Sequence, residues 1–382
     1  MEKKEDIPNA TLPEAIIEDI LIRLPLKSLA RFRCVSKKWN DLSRDSRFIQ
    51  MHNTHSKNRN QLYLLTDYNE EPNPGLLDLM ELSIDIKSCP ECVVLGDCNG
   101  VFLVYKIYDN HLPDTYWLLN PCTGECVMFP EPPCEDIDLQ YNKDNIHYGF
   151  GYSENDKDYK VVRIRSICVK EGHAIPIEVM VYTLRSNSWR KIKNSGDVHV
   201  PFILQELKAR GERGAHVNGF VHWAASDFCI DWRDQEEWSE MYELKDHTSS
   251  KIIAFDFGSD TFQEVPYPEY YGVNLFDHIG ICTLDGNLCL HVYGNSWTHI
   301  WVMREYGLRE SWTKLCFVSG PILHPFRILH FTNADEKLSL LLQFRHLYFT
   351  SERRLEKVYD LIGHPTSQAT LYVESLVGLT QR

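Results

Sequence analysis

At Gln61 the spacing of the apolar residues changes period, and that change limits what this 382-residue chain can fold into. Before it, Ile16, Ile17, Ile20, Leu21 and Leu24 recur at intervals that place them on one face of a helix. After it, short runs rich in Val, Ile, Tyr, Phe and Trp alternate with turn residues, as at residues 161–164, 179–182, 219–223 and 252–256. No later segment reads as a long helix. The pattern is that of a mainly β chain behind a small α module.

The helical part has its own punctuation. Thr11 is placed to cap, Pro13 suits a first turn, and Glu14 stands three residues after Thr11. Pro25 breaks the chain before a second helix carrying Leu29 and Phe32. A third short helix carries Trp39 and Leu42, with Phe48 beyond it. Three short helices are too small to bury this many large apolar side chains among themselves. They pack on the larger domain, or they form a surface for a partner.

In the β part a unit of strand, polar turn and strand with a trailing apolar residue recurs at 118–127, 181–189 and 255–262. Looser copies follow at 300–312 and 347–355. Asn-Gly-type turns stand between them at Asn99-Gly100, Asn218-Gly219 and Gly286-Asn287. Turn centres roughly 45–50 residues apart have the blade period of a β-propeller, and the length allows about six blades. The alternative is a β-sandwich, which also shows evenly spaced strands. An apolar run at 371–377 is placed to pair with an early strand near 62–65 and close a ring, removing two exposed edges. The expected organisation is a flexible 1–10, a helical module at 11–52 and a β domain at 61–382.

Charge is divided unevenly. Residues 1–50 hold 10 basic and 8 acidic side chains, whereas residues 51–382 hold 30 and 46. So acidic a body is a poor ligand for nucleic acid, which needs clustered Lys and Arg, and favours a basic protein partner. No apolar run reaches the ~18 residues of a membrane span. Residues 1–8 are charged and lack the apolar stretch of a secretory leader, so the expected compartment is the reducing cytoplasm, with the nucleus as an alternative. The 12 cysteines are too sparse for a disulfide scaffold and are expected as buried thiols.

Two acidic insertions, 131–144 and 231–246, read as loops. The second carries Trp232, Asp234, Glu236, Glu237, Trp238, Glu240 and Tyr242, and aromatics inside an acidic loop mark it as a candidate substrate surface. Trp189, Trp223, Trp301 and Trp312 follow the repeat and read as core. There is no phosphate-binding loop, no Gly-x-Ser-x-Gly elbow and no His-Glu-x-x-His. Cys89 and Cys92, with Cys98 nearby and Cys122 and Cys126 further on, are spaced like metal ligands, but Cys98, Cys122 and Cys126 fall in strand and hairpin positions. No metal, cofactor or catalytic residue is expected.

Residues 11–50 resemble an F-box: Leu12-Pro13, the Ile17/Ile20/Leu21/Leu24 face, Pro25, then Lys27-Ser28-Leu29, Arg31-Phe32-Arg33-Cys34-Val35-Ser36-Lys37 and Trp39. The rest resembles the F-box-associated domain of plant F-box proteins, a group that includes the S-locus F-box type. The matching pieces include Asn120-Pro121, Gly149-Phe-Gly-Tyr152, Asp158-Tyr-Lys160, Val221-His-Trp223, Ser311-Trp-Thr-Lys314 and residues 372–377. Cys122 departs from the Ser more common after Asn-Pro. The resemblance implies a non-catalytic substrate receptor of an SCF-type ubiquitin ligase. Its F-box would dock a Skp-type adaptor and, through it, a cullin, a RING protein and a charged E2. Leu12, Pro13, Ile16, Ile20, Leu21, Pro25, Leu29, Val35 and Trp39 would line or support that contact, flanked by Arg31, Arg33, Lys37 and Lys38. The alternatives are a recognition module acting without the ligase, lectin-like or scaffolding, and a hydrolase built into a propeller.

Overall fold

A computed structural model of the chain describes residues 12–43, 45–57, 61–66, 83–88, 92–106, 115–133, 145–168, 174–192, 203–204, 214–226, 250–268, 278–284, 286–293, 297–319, 326–332, 337–342, 346–351, 354–360, 369–372 and 375–379. Helices α1 (Glu14–Ile22), α2 (Leu26–Arg33), α3 (Lys37–Leu42) and α4 (Ser46–Lys57) form the N-terminal module. Two Leu-Pro pairs set its first turns. The carbonyl of Pro13 accepts from Ile16 and Ile17, and that of Pro25 from Ser28 and Leu29, so each proline stands at the cap of its helix. Thr11, expected as the cap of α1, lies outside the described residues. The fourth helix extends the module past residue 52 and carries Phe48, Ile49 and His52 at helical spacing.

The remainder is β. Strands β1 (Gln61–Thr66) and β2 (Ser83–Ser88) are followed by two four-stranded antiparallel meanders. These are β3 (Cys92–Cys98), β4 (Val101–Lys106), β5 (Thr115–Asn120) and β6 (Glu125–Phe129), then β7 (Asn145–Ser153), β8 (Asp158–Cys168), β9 (Ala174–Thr183) and β10 (Ser188–Lys191). A third unit holds β11 (Ile203–Leu204), β12 (Ala215–Val217), β13 (Phe220–Ser226), β14 (Ser250–Asp256) and β15 (Thr261–Val265). A fourth holds β16 (His278–Leu284), β17 (Asn287–Tyr293), β18 (Trp297–Met303) and β19 (Trp312–Ser319). Strands β20 (Phe326–Thr332), β21 (Lys337–Leu342), β22 (His346–Ser351) and β23 (Arg354–Asp360) form a further meander, and β24 (Ala369–Tyr372) ends the series.

The arrangement is a propeller, not a sandwich: among the described residues the first four meanders stack one on the next through buried layers. Val162, Ile164, Val179 and Val181 of the second unit meet Val221, Trp223, Ile253 and Phe255 of the third. Ile252, Ala254 and Val265 of the third meet Ile279, Leu288 and Leu290 of the fourth. Among the described residues four blades are found where about six were expected. The pair Ser319↔Arg354 joins β19 to β23, merging the β20–β23 meander with the fourth blade in one eight-stranded sheet. Strands β2, β1 and β24 form a three-stranded sheet. Part of the expected pairing is present in it: β24 runs antiparallel to β1 with Leu64↔Leu371 and Leu65↔Thr370, but the strand ends at Tyr372, and residues 375–377 of the expected 371–377 run are not β.

Turn chemistry fixes the blades. Asn99-Gly100 (φ 52° and 76°) and Asn218-Gly219 (53° and 84°) hold two successive left-handed residues, the geometry that joins adjacent strands of a right-twisted hairpin. Each repeated hairpin instead has a four-residue turn closing on one left-handed residue: Gly124, Asn187 and Asp260. The trailing tryptophans tie blade to blade. Trp189 Nε1 donates to Pro130 O at 2.7 Å across the first seam, and Trp312 Nε1 to Pro266 O at 2.8 Å across the third. Gly149 and Gly151 on β7 leave room for the neighbouring blade. A Cβ at Gly149 would stand 2.6 Å from Trp223, and one at Gly151 2.3 Å from Phe257.

Candidate functional site

The helical module divides its apolar residues between a core and a face. Leu21, Leu26, Leu29 and Phe48 are buried together, with Ile17, Phe32, Trp39 and Leu42 packed around them. His52 closes the core from α4: its Nε2 donates to Leu24 O at 3.0 Å and its ring stacks on Phe48. Arg33 Nε donates to Ser43 Oγ at 2.8 Å and ties α2 to the end of α3. Lys38 pairs with Glu14, which brings the start of α3 to the start of α1.

What remains outside is apolar. Among the described residues seven large hydrophobic side chains are exposed, and four of them, Leu12 (56%), Ile16 (47%), Ile20 (45%) and Val35 (68%), belong to this module. Ile16 and Ile20 are one turn apart on α1 and Leu12 lies just before its first turn, so the three continue along one edge. Val35 lies in the turn before α3. Leu12, Ile16 and Ile20 thus form an exposed apolar edge on the module.

Of the nine residues expected to line or support a contact, Leu12, Pro13, Ile16, Ile20, Pro25 and Val35 are exposed. Leu21 (3%) and Leu29 (2%) are core, and Trp39 is half-buried, edge-on to Phe32 at 5.4 Å. Of the flanking bases, Arg31 and Lys37 are exposed, while Arg33 and Lys38 are engaged within the module. Leu26, His52 and Leu376 were not anticipated. The first two follow the helical spacing and were legible from it. Leu376 enters the same core from the far end of the chain.

The acidic-loop residues Trp232, Asp234, Glu236, Glu237, Trp238, Glu240 and Tyr242 lie outside the described residues, as does Cys89. Cys98 Sγ stands 3.8 Å from His216 Nε2. Among the described residues no group of three or more His, Cys, Asp or Glu side chains is disposed to hold a metal ion. Several buried polar groups of the propeller join strands and blades. Lys160 reaches Phe257 O at 2.9 Å and Asp260 at 3.2 Å across the seam between the second and third blades. Arg163 and Lys191 share Glu178 at 3.5 and 3.4 Å within the second. His222 Nδ1 donates to Ala215 O at 2.9 Å, which leaves Nε2 to accept the Tyr306 hydroxyl at 2.7 Å from the fourth blade. Burial pushes His222 down to about 4 against the opposing pull of its bond to Ala215, and pushes Tyr306 up to about 12. Both groups are neutral and structural. Among the described residues no helix is long and apolar enough to cross a membrane.

A small helical module with an outward apolar edge is carried on a β-propeller. Comparison with known proteins agrees. Residues 10–51 match the F-box domain, and residues 78–378 match the F-box associated beta propeller domain. The chain is 27% identical to the F-box/kelch-repeat protein At3g23880 of Arabidopsis thaliana, covering 96% of this chain and 95% of that one. It is 27% identical to F-box protein CPR1 of the same plant, covering 96% and 89%. With the Arabidopsis F-box protein At3g07870 it shares 30% identity over 80% of this chain and 72% of that one. The chain belongs to the family of F-box proteins that carry an F-box associated beta propeller domain.

Proposed function

We propose that this protein is the substrate-recognition subunit of an SCF-type E3 ubiquitin ligase. The observation that supports it is the exposed set Leu12, Ile16, Ile20 and Val35 on a module whose core is already complete. In this reading Leu12, Pro13, Ile16, Ile20, Pro25 and Val35 bury against a Skp-type adaptor. Leu21, Leu29 and Trp39 hold the helices that present them. A few anchors carry most of such a contact. Arg31 and Lys37 steer the approach of an acidic adaptor. The adaptor links to a cullin, a RING protein and an E2, in the cytoplasm and the nucleus.

The chain itself makes and breaks no bond in this reading. It raises the effective concentration of a target's lysines beside the charged E2. The target is recruited by propeller loops, for which the acidic loop at 231–246 is the candidate. The charge of the body favours a basic target. Neutralising Asp234, Glu236, Glu237 and Glu240 together then slows its capture and flattens the salt dependence.

The test is co-purification of the full chain with a Skp-type adaptor, beside a Leu12→Ala/Pro13→Ala variant. Capture by the wild type alone supports the reading. A folded wild-type protein that captures no adaptor makes the propeller a recognition module independent of the ligase.

A further inference from the structure

Asn120-Pro121 and residues 375–377 take no part in the docking face, yet the fold brings Asn120 and 375–377 together. Residues 375–379 run as a strap between the helical module and the first blade, and their side chains alternate between the two bodies. Leu376 (3% exposed) inserts among Leu21, Leu26, Leu29 and Phe48. Leu379 is buried, and Val377 packs, in the layer between the first and second blades. Cys122, in the β5–β6 turn, touches the helical core as well as the first blade's own cluster.

Asn120 holds the strap in place. It is fully buried at the end of β5, and its Nδ2 donates to two strap carbonyls, Ser375 O at 3.1 Å and Val377 O at 2.8 Å. Its Oδ1 accepts from the backbone N–H groups of Cys122 at 2.9 Å and Thr123 at 3.3 Å, so the side chain is fixed by its own turn. Glu125 Oε2 accepts from Leu379 N at 2.5 Å and secures the far end. Every polar atom of the Asn120 amide is thereby used on the strap or on the turn that aims it.

We infer that Asn120 is a positioning residue. Through the strap it sets the orientation of the F-box relative to the propeller, and so where a recruited target stands relative to the E2. The inference rests on the reading that the F-box docks the ligase and the propeller recruits the target. The consequence follows from the contacts. Without the strap, residues 58–60 between α4 and β1 are the covalent connection, and two bodies joined in that way reorient unless a sizeable interface holds them.

The test uses the full chain, with spin labels on genetically encoded residues at Arg47 of α4 and Arg309 of the fourth blade, both exposed. Distances are read by pulsed dipolar spectroscopy. Asn120→Asp keeps an oxygen for Cys122 N and Thr123 N but turns a carboxylate on the carbonyls of Ser375 and Val377. Leu376→Ala removes the insertion into the helical core. The wild type gives a single narrow distance peak. Both variants lose it while retaining the propeller's thermal transition, and Asn120→Asp also retains the wild-type affinity for a purified Skp-type adaptor. A peak as narrow as wild type in both variants overturns the inference. So does broadening that appears only together with loss of the thermal transition, which makes Asn120 a folding residue alone. Failure of the wild type to bind the adaptor removes the docking reading, whereas the distance peak decides the tie independently.

Discussion

Acidification destabilises this propeller through two histidines that burial keeps neutral. Burial lowers His147 from 6.5 to about 4, and its Nε2 has no hydrogen-bond partner among the described residues. His222 is lowered likewise to about 4, locked between Ala215 O and the Tyr306 hydroxyl. Both folded values lie below the unfolded value of 6.5, so the unfolded chain binds more protons between those limits. The stability that each neutral ring contributes is complete above 6.5 and is lost as the pH falls toward 4. For one histidine the loss is roughly 2 kcal/mol at pH 5 and about 3 kcal/mol at pH 4. Set against a total of roughly 5–15 kcal/mol for a typical domain, two such groups shift the unfolding midpoint visibly. General charge works in the opposite direction, because protonating carboxylates relieves the self-repulsion of a chain at −14. Asp156, whose carboxyl is held down by its bond to Lys160, loses stability on acidification with the same sign, so a variant that does not titrate is needed to isolate a histidine. The assay is urea unfolding of wild type and His222→Gln from pH 7.5 to pH 4.5. Glutamine keeps a donor for Ala215 O and an acceptor for Tyr306 and does not titrate. Wild type loses roughly 2 kcal/mol relative to the variant between pH 7 and pH 5. Parallel curves refute the reasoning.

Gly151→Ala places a Cβ 2.3 Å from Phe257 and costs about 1–3 kcal/mol, read as a lower urea midpoint at unchanged slope. Trp189→Phe keeps a six-membered ring but removes the pyrrole and with it the bond to Pro130 O, and lowers stability by at least about 0.5–1.5 kcal/mol in the same assay. Leu21→Ala opens the helical core and costs that module about 2–5 kcal/mol. Hydrogen exchange then finds amide protection reduced in α1–α4 and retained in β7–β9.

Short-range signals carried much of the fold into the sequence. The Asn-Gly pairs at 99–100 and 218–219 and the prolines at 13 and 25 act within a turn or two, so their roles were legible locally. The pairing of β1 with β24 was legible despite its separation, because a ring with two open edges and a final apolar strand has one economical closure. Blade number was less legible. Whether a meander stands alone or shares a sheet with its neighbour is decided by a single strand pair, Ser319↔Arg354, which no local pattern encodes. The division of the F-box into face and core was also hidden. Ile16, Ile17, Ile20 and Leu21 are alike in chemistry, and exposure separates them only once Phe48, His52 and Leu376 have taken one side of α1. Leu376 is 355 positions from Leu21, beyond the reach of any periodicity argument.

The most direct measurement of the central claim is the calorimetric affinity of the full chain for a Skp-type adaptor, compared with Ile16→Ala/Ile20→Ala and with Met128→Ala. All three changed residues are exposed and apolar, and Met128 lies on β6 of the propeller. The account predicts that the double change on α1 weakens binding by about 30-fold or more, as hot-spot truncation does, with the melting temperature unchanged and Met128→Ala equal to wild type. Equal affinities for all three proteins would contradict it.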